Sequence, residues 1–277
     1  MKKIFYCIAL LSLLLISCNK NDNENQVAVS FQGEHEVNFE EIKCDTAFTH
    51  KCKNEIVCDS IKILFLSPIV EKGDTAAEYI RQELIYWVFA DSTITNMSSK
   101  EIVNMVVQNA SKVYSQDVLE LCSEDMGDPS ILNFEDFVST KVLYNDGKIL
   151  SYQICRYQYL GGAHGLQTEE ELSFNLETGD RIFLEDIFID GYEAAMTDKI
   201  IKQIMLERGF ESEEQMLGEF WGFENIRPKQ NFSISEKGIT FTYQPYEIAC
   251  YAAGIIKVEI PFSSISNLIR DDFYLCK

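Results

Sequence analysis

The sequence predicts an α+β fold with antiparallel sheets, helices packed on one face and a body in two parts. Three observations point there. Strand-like and helix-like runs come in separate groups along the chain. Asn145-Asp146-Gly147 joins two runs of alternating polarity, a strong signal for a hairpin. The 277 residues are 46% hydrophobic and 25% charged, which suits a globular core and excludes a disordered chain.

The first residues stand apart from the fold. Lys2-Lys3 precede an apolar run, Ile4 to Ile16, that falls short of the roughly 20 residues of a bilayer span. Residues 1–17 therefore read as a secretory signal. Leu15-Ile16-Ser17-Cys18 resembles a bacterial lipobox, with cleavage before Cys18 and the lipid on its sulfur. Residues 18–34 form a polar tether. Its early acidic residues resemble the surface-export signal of lipoproteins from the Bacteroidetes group. The expected location is the bacterial outer membrane or cell surface, held by lipid. An N-terminal α+β subdomain is expected over 35–125 and a C-terminal one over 130–277, with the soft boundary in the polar stretch 122–133.

Loss of residues 1–17 removes two lysines and no acid, which takes the formal charge from −20 to −22. Such a body repels nucleic acid and anionic headgroups. It favours cationic partners at low salt, and it also serves solubility.

In order, residues 37–70 read as strands, with Ile61 to Leu66 the strongest before Ser67-Pro68. Thr75 and Glu78 have capping-box spacing ahead of a helix whose Ile80, Leu84 and Val88 share one face. Ser98 and Glu101 open a second helix to about Leu121. Two strands follow, Phe134 to Tyr144 and Ile149 to Tyr159, then a short one at Leu172 to Leu176. Tyr192 to Arg208 is a third helix, and Ser212 with Gln215 caps a fourth that contains Phe220 and Trp221. Phe232 to Ile234, Ile239 to Tyr243 and Ile255 to Ile260 are strands, and Pro261 opens a last short helix.

Of nine cysteines, Cys7 leaves with the signal and Cys18 carries lipid. Cys44, Cys52, Cys58, Cys122, Cys155, Cys250 and Cys276 remain, an odd number in an oxidising compartment. Cys44, Cys52 and Cys58 lie close enough in sequence for a local bridge, and the sequence leaves the pairing of all seven open. No C-x-x-C spacing is present and His50 is the only nearby histidine, so no metal or cofactor is expected. The nucleophile elbow, H-E-x-x-H and the phosphate loop are also missing from the sequence.

Two stretches stand out. In Tyr157 to Gly165, two tyrosines on one face of a strand lead into three glycines around His164. His164 could contact a ligand or act as a base, or it could tie its loop to a backbone carbonyl, the commoner role of a turn histidine. Phe241 to Gly254 brings Tyr243, Tyr246, Glu247 and Tyr251 around a bend at Pro245. It could line a groove for a sugar or a protein loop, although residue types alone suit a packed bent hairpin.

Tyr159 to Gly165, followed some eighty residues later by Tyr243 to Ala249 and Ile260-Pro261, resembles the extracytoplasmic domain of the lysozyme-sensing anti-sigma-V factors. The same domain precedes the catalytic module of certain peptidoglycan deacetylases. Residues 37–122 are similar in layout to the domain that accompanies it. The resemblance implies extracytoplasmic recognition, and the anti-sigma members bind lysozyme directly. Cys250 stands where that family usually has proline. No sigma-binding tail, transmembrane helix or deacetylase module is read in the sequence.

The reading is a non-enzymatic, lipid-anchored binding protein for a cationic protein such as lysozyme, or for an envelope glycan. Its ligand-binding residues are Tyr157, Tyr159, Gly161, Gly162, His164, Tyr243, Tyr246, Glu247 and Tyr251. One alternative is an envelope glycan or peptide hydrolase that uses His164 or a carboxylate from the acidic 169–186 region. Another is a structural lipoprotein without ligand. The two stretches are expected side by side in one sheet.

Overall fold

The computed structural model describes residues 37–123 and 129–273. The expected signal, Cys18, the tether and Cys276 lie outside these residues. None of the described helices is long and apolar enough to cross a membrane.

A long hairpin opens the fold. β1 (Phe39–Cys52) and β2 (Glu55–Pro68) pair along their whole length. Alternation in β2 sends Val57, Ile61, Ile63 and Phe65 inward. Two helices follow, α1 (Thr75–Phe89) and α2 (Ser99–Ser123), packed over β1 and β2. The cap of α1 is Asp74, whose Oδ1 accepts from the Ala77 amide at 2.9 Å, one residue before the Thr75 that the sequence suggested. α2 begins as expected: Glu101 N donates to Ser98 Oγ at 3.3 Å, and Glu101 Oε2 accepts from Ser98 N at 3.0 Å.

β3 (Glu135–Asn145), β4 (Ile149–Tyr159) and β5 (Leu166–Asn175) complete a sheet of order β1-β2-β3-β4-β5. Every pair is antiparallel except β2–β3, which is parallel because the two helices provide the long crossover such a pair requires. The hairpin at Asn145-Asp146-Gly147 forms as expected. Gly147 has φ 81°, and Asp146 Oδ1 accepts from the amides of Lys148 and Ile149 at 2.9 and 2.8 Å. Strands from both sides of the polar stretch 122–133 pair in one sheet, so the first core runs from Val37 to Leu176. At its centre Tyr152 is fully buried and its hydroxyl donates to Leu66 O at 2.6 Å.

The second half starts with the single-turn α3 (Leu184–Ile187), then α4 (Glu193–Arg208) and α5 (Glu213–Leu217). α5 stops at Gly218, short of Phe220 and Trp221. Those two pair with the tyrosine bend instead: Phe220 bridges Ala249, and Trp221 N donates to Ile248 O at 3.0 Å. β6 (Phe232–Ile234), β7 (Gly238–Tyr243) and β8 (Ile256–Pro261) form an antiparallel three-stranded sheet, and α6 (Phe262–Ile265) follows. Phe232, Phe241, Val258, Met196 and Ile200 fill this second core.

The halves meet where β6 lies on β4 and β5. Ser151 Oγ donates to Ile234 O at 2.8 Å, accepts from Ile234 N at 3.0 Å and lies 3.0 Å from Ser173 Oγ. Beside it, Lys257 Nζ bonds Glu169 at 2.6 Å and the buried Glu171 at 2.8 Å. Burial acts to lower the Lys257 ammonium, and its two carboxylate hydrogen bonds outweigh this and hold it above its ordinary value.

Cys52 pairs with Cys122, 70 residues away, and not with Cys44 or Cys58 close by in sequence. The hairpin register separates that trio: Cys44 faces Ile63, Cys52 faces Glu55 and Cys58 faces Thr49. The bridge ties the end of β1 to the last turn of α2. Closing a loop of this length contributes about 2–4 kcal/mol. Thermal unfolding of Cys122→Ala, or of the reduced protein, should show a clearly lower Tm than the oxidised chain; an unchanged Tm would contradict the pairing.

Candidate functional site

The glycine loop is shaped by the tyrosine that precedes it. Tyr157 stacks on Phe137 across the sheet, ring centroids 5.7 Å apart, and its ring then covers Gly165. A Cβ at Gly165 would sit 2.5 Å from that ring. Gly161 and Gly162 take φ of 89° and 103°, angles that L side chains rarely adopt, and Tyr159 donates its hydroxyl to Gly162 O at 3.1 Å. The turn thereby lifts His164 into solvent.

The tyrosine bend arrives from the other sheet. Tyr251 donates to Gly165 O at 2.6 Å, and its ring stacks on His164 at 4.0 Å between centroids. Tyr246, at φ 67°, lies 5.4 Å from Tyr251, and Trp221 stacks on Tyr246 at 6.2 Å. Four rings thus form a continuous ladder, Trp221–Tyr246–Tyr251–His164. Trp221 and Tyr246 are each about half exposed, at 50% and 49%. His164 Nδ1 faces Gly165 O at 2.9 Å, and a carbonyl only accepts, so Nδ1 carries the proton. Nε2 lies 3.4 Å from the Tyr246 hydroxyl.

Two segments expected side by side are therefore side by side, but they come from different sheets. The seam between them is made by side-chain amides. The Glu169 amide, on the outer edge of β5, donates to Gln244 Oε1 at 3.0 Å, and Gln244 Nε2 donates back to Glu169 O. Asn231 repeats this one rung on: Glu171 N donates to Asn231 Oδ1 at 2.7 Å, and Asn231 Nδ2 donates to Glu169 O at 2.8 Å. Each amide presents a donor and an acceptor as a neighbouring strand would.

Of the residues singled out in the sequence, Tyr157, Tyr159, Gly161, Gly162, His164, Tyr246 and Tyr251 converge here. Tyr243 does not face the surface: it is fully buried and donates to Arg227 O at 2.8 Å. Glu247 holds the bend, accepting from Gln244 N at 2.8 Å and from Lys229 Nζ. Trp221 was missed because the sequence placed it within a helix. Gln244 stood only within the bend motif and Asn231 carried no signal, since an amide that mimics a strand has no sequence spacing of its own.

Other polar groups are engaged elsewhere. His50 lies 2.7 Å from the buried Asp59, whose carboxyl burial pushes up. Glu169 and Glu171, from the acidic stretch considered for a base, hold Lys257. Burial pushes the Cys155 thiol up to about 11. Among the described residues, no three His, Cys, Asp or Glu side chains are grouped so as to hold a metal ion.

A compact pair of sheets with an aromatic surface site is the class of molecule this geometry defines. Comparison with known proteins gives that class a family context. Residues 71–167 match the family described as deacetylase PdaC, and residues 185–263 match the protein family of unknown function DUF3298. Two successive stretches of the chain are thus similar to these two families, in that order. The crystal structure of a DUF3298 family member from Bacteroides fragilis NCTC 9343 superposes with a TM-score of 0.80 at 20% identity, covering 88% of this chain and 98% of that one. A DUF3298 family protein from Pseudomonas aeruginosa PAO1 gives a TM-score of 0.55 at 14% identity, over 84% and 95% of the two chains. At these identities the likeness shows the fold. No curated protein matches the chain. His164 belongs to the first matched region, and Trp221, Tyr246 and Tyr251 to the second, so the ladder is built where the two regions meet.

Gly165→Ala should force the Tyr157 ring aside and destabilise the fold by about 1–3 kcal/mol, the usual cost of overpacking. The double variant with Tyr157→Ala should recover part of that loss in denaturant unfolding, because the obstructing ring is gone. Additive losses would mean the ring is not what Gly165 accommodates.

Proposed function

We propose that the chain is a lipid-anchored extracytoplasmic binding protein that recognises a cationic protein, with lysozyme as the first partner to test. The observation that carries this reading is the exposed ring ladder on a body whose formal charge goes from −20 to −22 once residues 1–17 and their two lysines are removed. Half-exposed tryptophan and tyrosine are the side chains that concentrate binding energy at protein interfaces. The acidic body supplies long-range attraction for a basic partner. The PdaC-type and DUF3298-type regions are consistent with an extracytoplasmic setting, and the similarity of the loop and bend to the lysozyme-sensing domain supplies the partner.

The hydrolase reading has weaker support. A general base needs a nucleophile or carboxylate within reach. The ring nitrogens of His164 instead face a backbone carbonyl and a tyrosine hydroxyl. The purely structural reading leaves the exposed rings without a role. A glycan could also stack on them, and it enters the test as a competitor.

The chain from residue 19 should retain hen lysozyme on a column at about 50 mM salt and release it toward about 500 mM, where charges are screened within a few ångströms. Tyr246→Ala with Trp221→Ala should weaken binding at least about tenfold, corresponding to hot-spot losses above ~1.4 kcal/mol. Retention of a soluble glycan in preference to lysozyme would shift the reading to sugar recognition, and no retention of either at low salt would remove it.

The anchor is tested separately. Cys18→Ala should abolish incorporation of labelled palmitate and move the protein from the membrane pellet to the soluble fraction.

A further inference from the structure

A cavity opens beside the ladder, beneath the glycine loop. It occupies about 520 Å³ between the first sheet and the two helices above it. This falls within the roughly 300–1,000 Å³ range of small-ligand sites. Its floor is Ile61, Ile63 and Val138 from β2 and β3, and its roof is Val88, Val106 and Ala110 from α1 and α2. Leu160 and Leu166, about half exposed at 48% and 45%, flank the mouth with Gly161 and His164. The helices leave this gap because α1 ends early. Ala90 turns left-handed at φ 55°, and Arg156, reaching up from β4, donates to the carbonyls of Trp87 and Val88 at the end of α1.

One part of the cavity wall is polar. Arg156 and Asp136 both line it, and the Asp136 carboxylate also accepts from the Tyr114 hydroxyl at 2.7 Å. These two offer a fixed donor beside a fixed acceptor, with opposite charges that balance. A ligand group that both accepts and donates, without net charge, matches that pair. A carboxylate would meet Asp136 as well as an acidic body, and a cation would meet Arg156.

We propose that this cavity binds an uncharged amphiphile, with an aliphatic or aromatic body among the isoleucines and valines and an amide-like head at Arg156 and Asp136. The cavity shares His164 at its mouth with the ring ladder, but the inference does not rest on recognition of a protein partner.

The test uses the chain from residue 19, which contains every described residue, with N-phenyl-1-naphthylamine as fluorescent probe. Emission should rise and saturate at about one probe per chain, as a single site of this size requires. Decanamide should displace the probe, with decanoate and decylammonium at least about tenfold weaker, corresponding to ~1.4 kcal/mol. Ala110→Trp, which fills the roof, should lower probe affinity at least tenfold by the same measure. Wild-type affinity in a folded Ala110→Trp variant would overturn the site. Should that variant unfold, methyl spectra of the wild type decide: the signals of Ile61, Ile63, Val106 and Val138 should shift on titration with decanamide. Their staying put at saturation would overturn the site. Equal displacement by decanoate and decanamide would overturn the assigned head.

Discussion

The architecture depends on how the outer edge of β5 is closed. A bare strand edge leaves amides and carbonyls unpaired and invites association with other chains. Here Gln244 and Asn231 place their side-chain amides against Glu169 and Glu171 and satisfy that edge without extending the sheet. The same contacts fix the second sheet on the first, since Gln244 directly follows β7 and Asn231 directly precedes β6. Edge protection and assembly of the two halves are thus one set of hydrogen bonds, and the position of the tyrosine bend over the glycine loop follows from it.

The seam is polar where a core would ordinarily be apolar. Ser151, Ser173, Glu171 and Asn231 are all buried there, and Lys257 neutralises part of the charge. Burying ions is costly, and a paired buried charge is weak evidence of stability. What such a seam does supply is directionality: each group accepts only partners at set positions, so the two sheets have one register against each other. The apolar clusters on either side carry the bulk of the burial, while the polar layer orients them.

Much of this was legible in the chain. Alternation in β2 and β4, the Asn145-Asp146-Gly147 turn and the reciprocal cap of Ser98 and Glu101 are local signals, and each produced its element. The convergence of Gly161–Gly165 with Tyr246 and Tyr251 was also anticipated. What escaped were features set by distance in space. The parallel β2–β3 pair follows from where the helices return the chain, the Cys52–Cys122 bridge from where α2 ends, and the burial of Tyr243 from a carbonyl at Arg227. Trp221 was placed on a helix because Ser212 and Gln215 announce one, but Gly218 ends it within two turns. Glu247, which looked free for a ligand, is held by its own bend.

The ladder draws its rings from positions 164, 221, 246 and 251, so no contiguous fragment of either matched region contains it. Neither region could be exchanged in evolution for an unrelated neighbour while keeping this surface. A shuffled copy would inherit a solitary histidine or an orphaned run of tyrosines. The shared face exists only while both regions stay in one chain, and a break within the stretch that links them would also part β5 and its buried Leu172 and Phe174 from the first sheet.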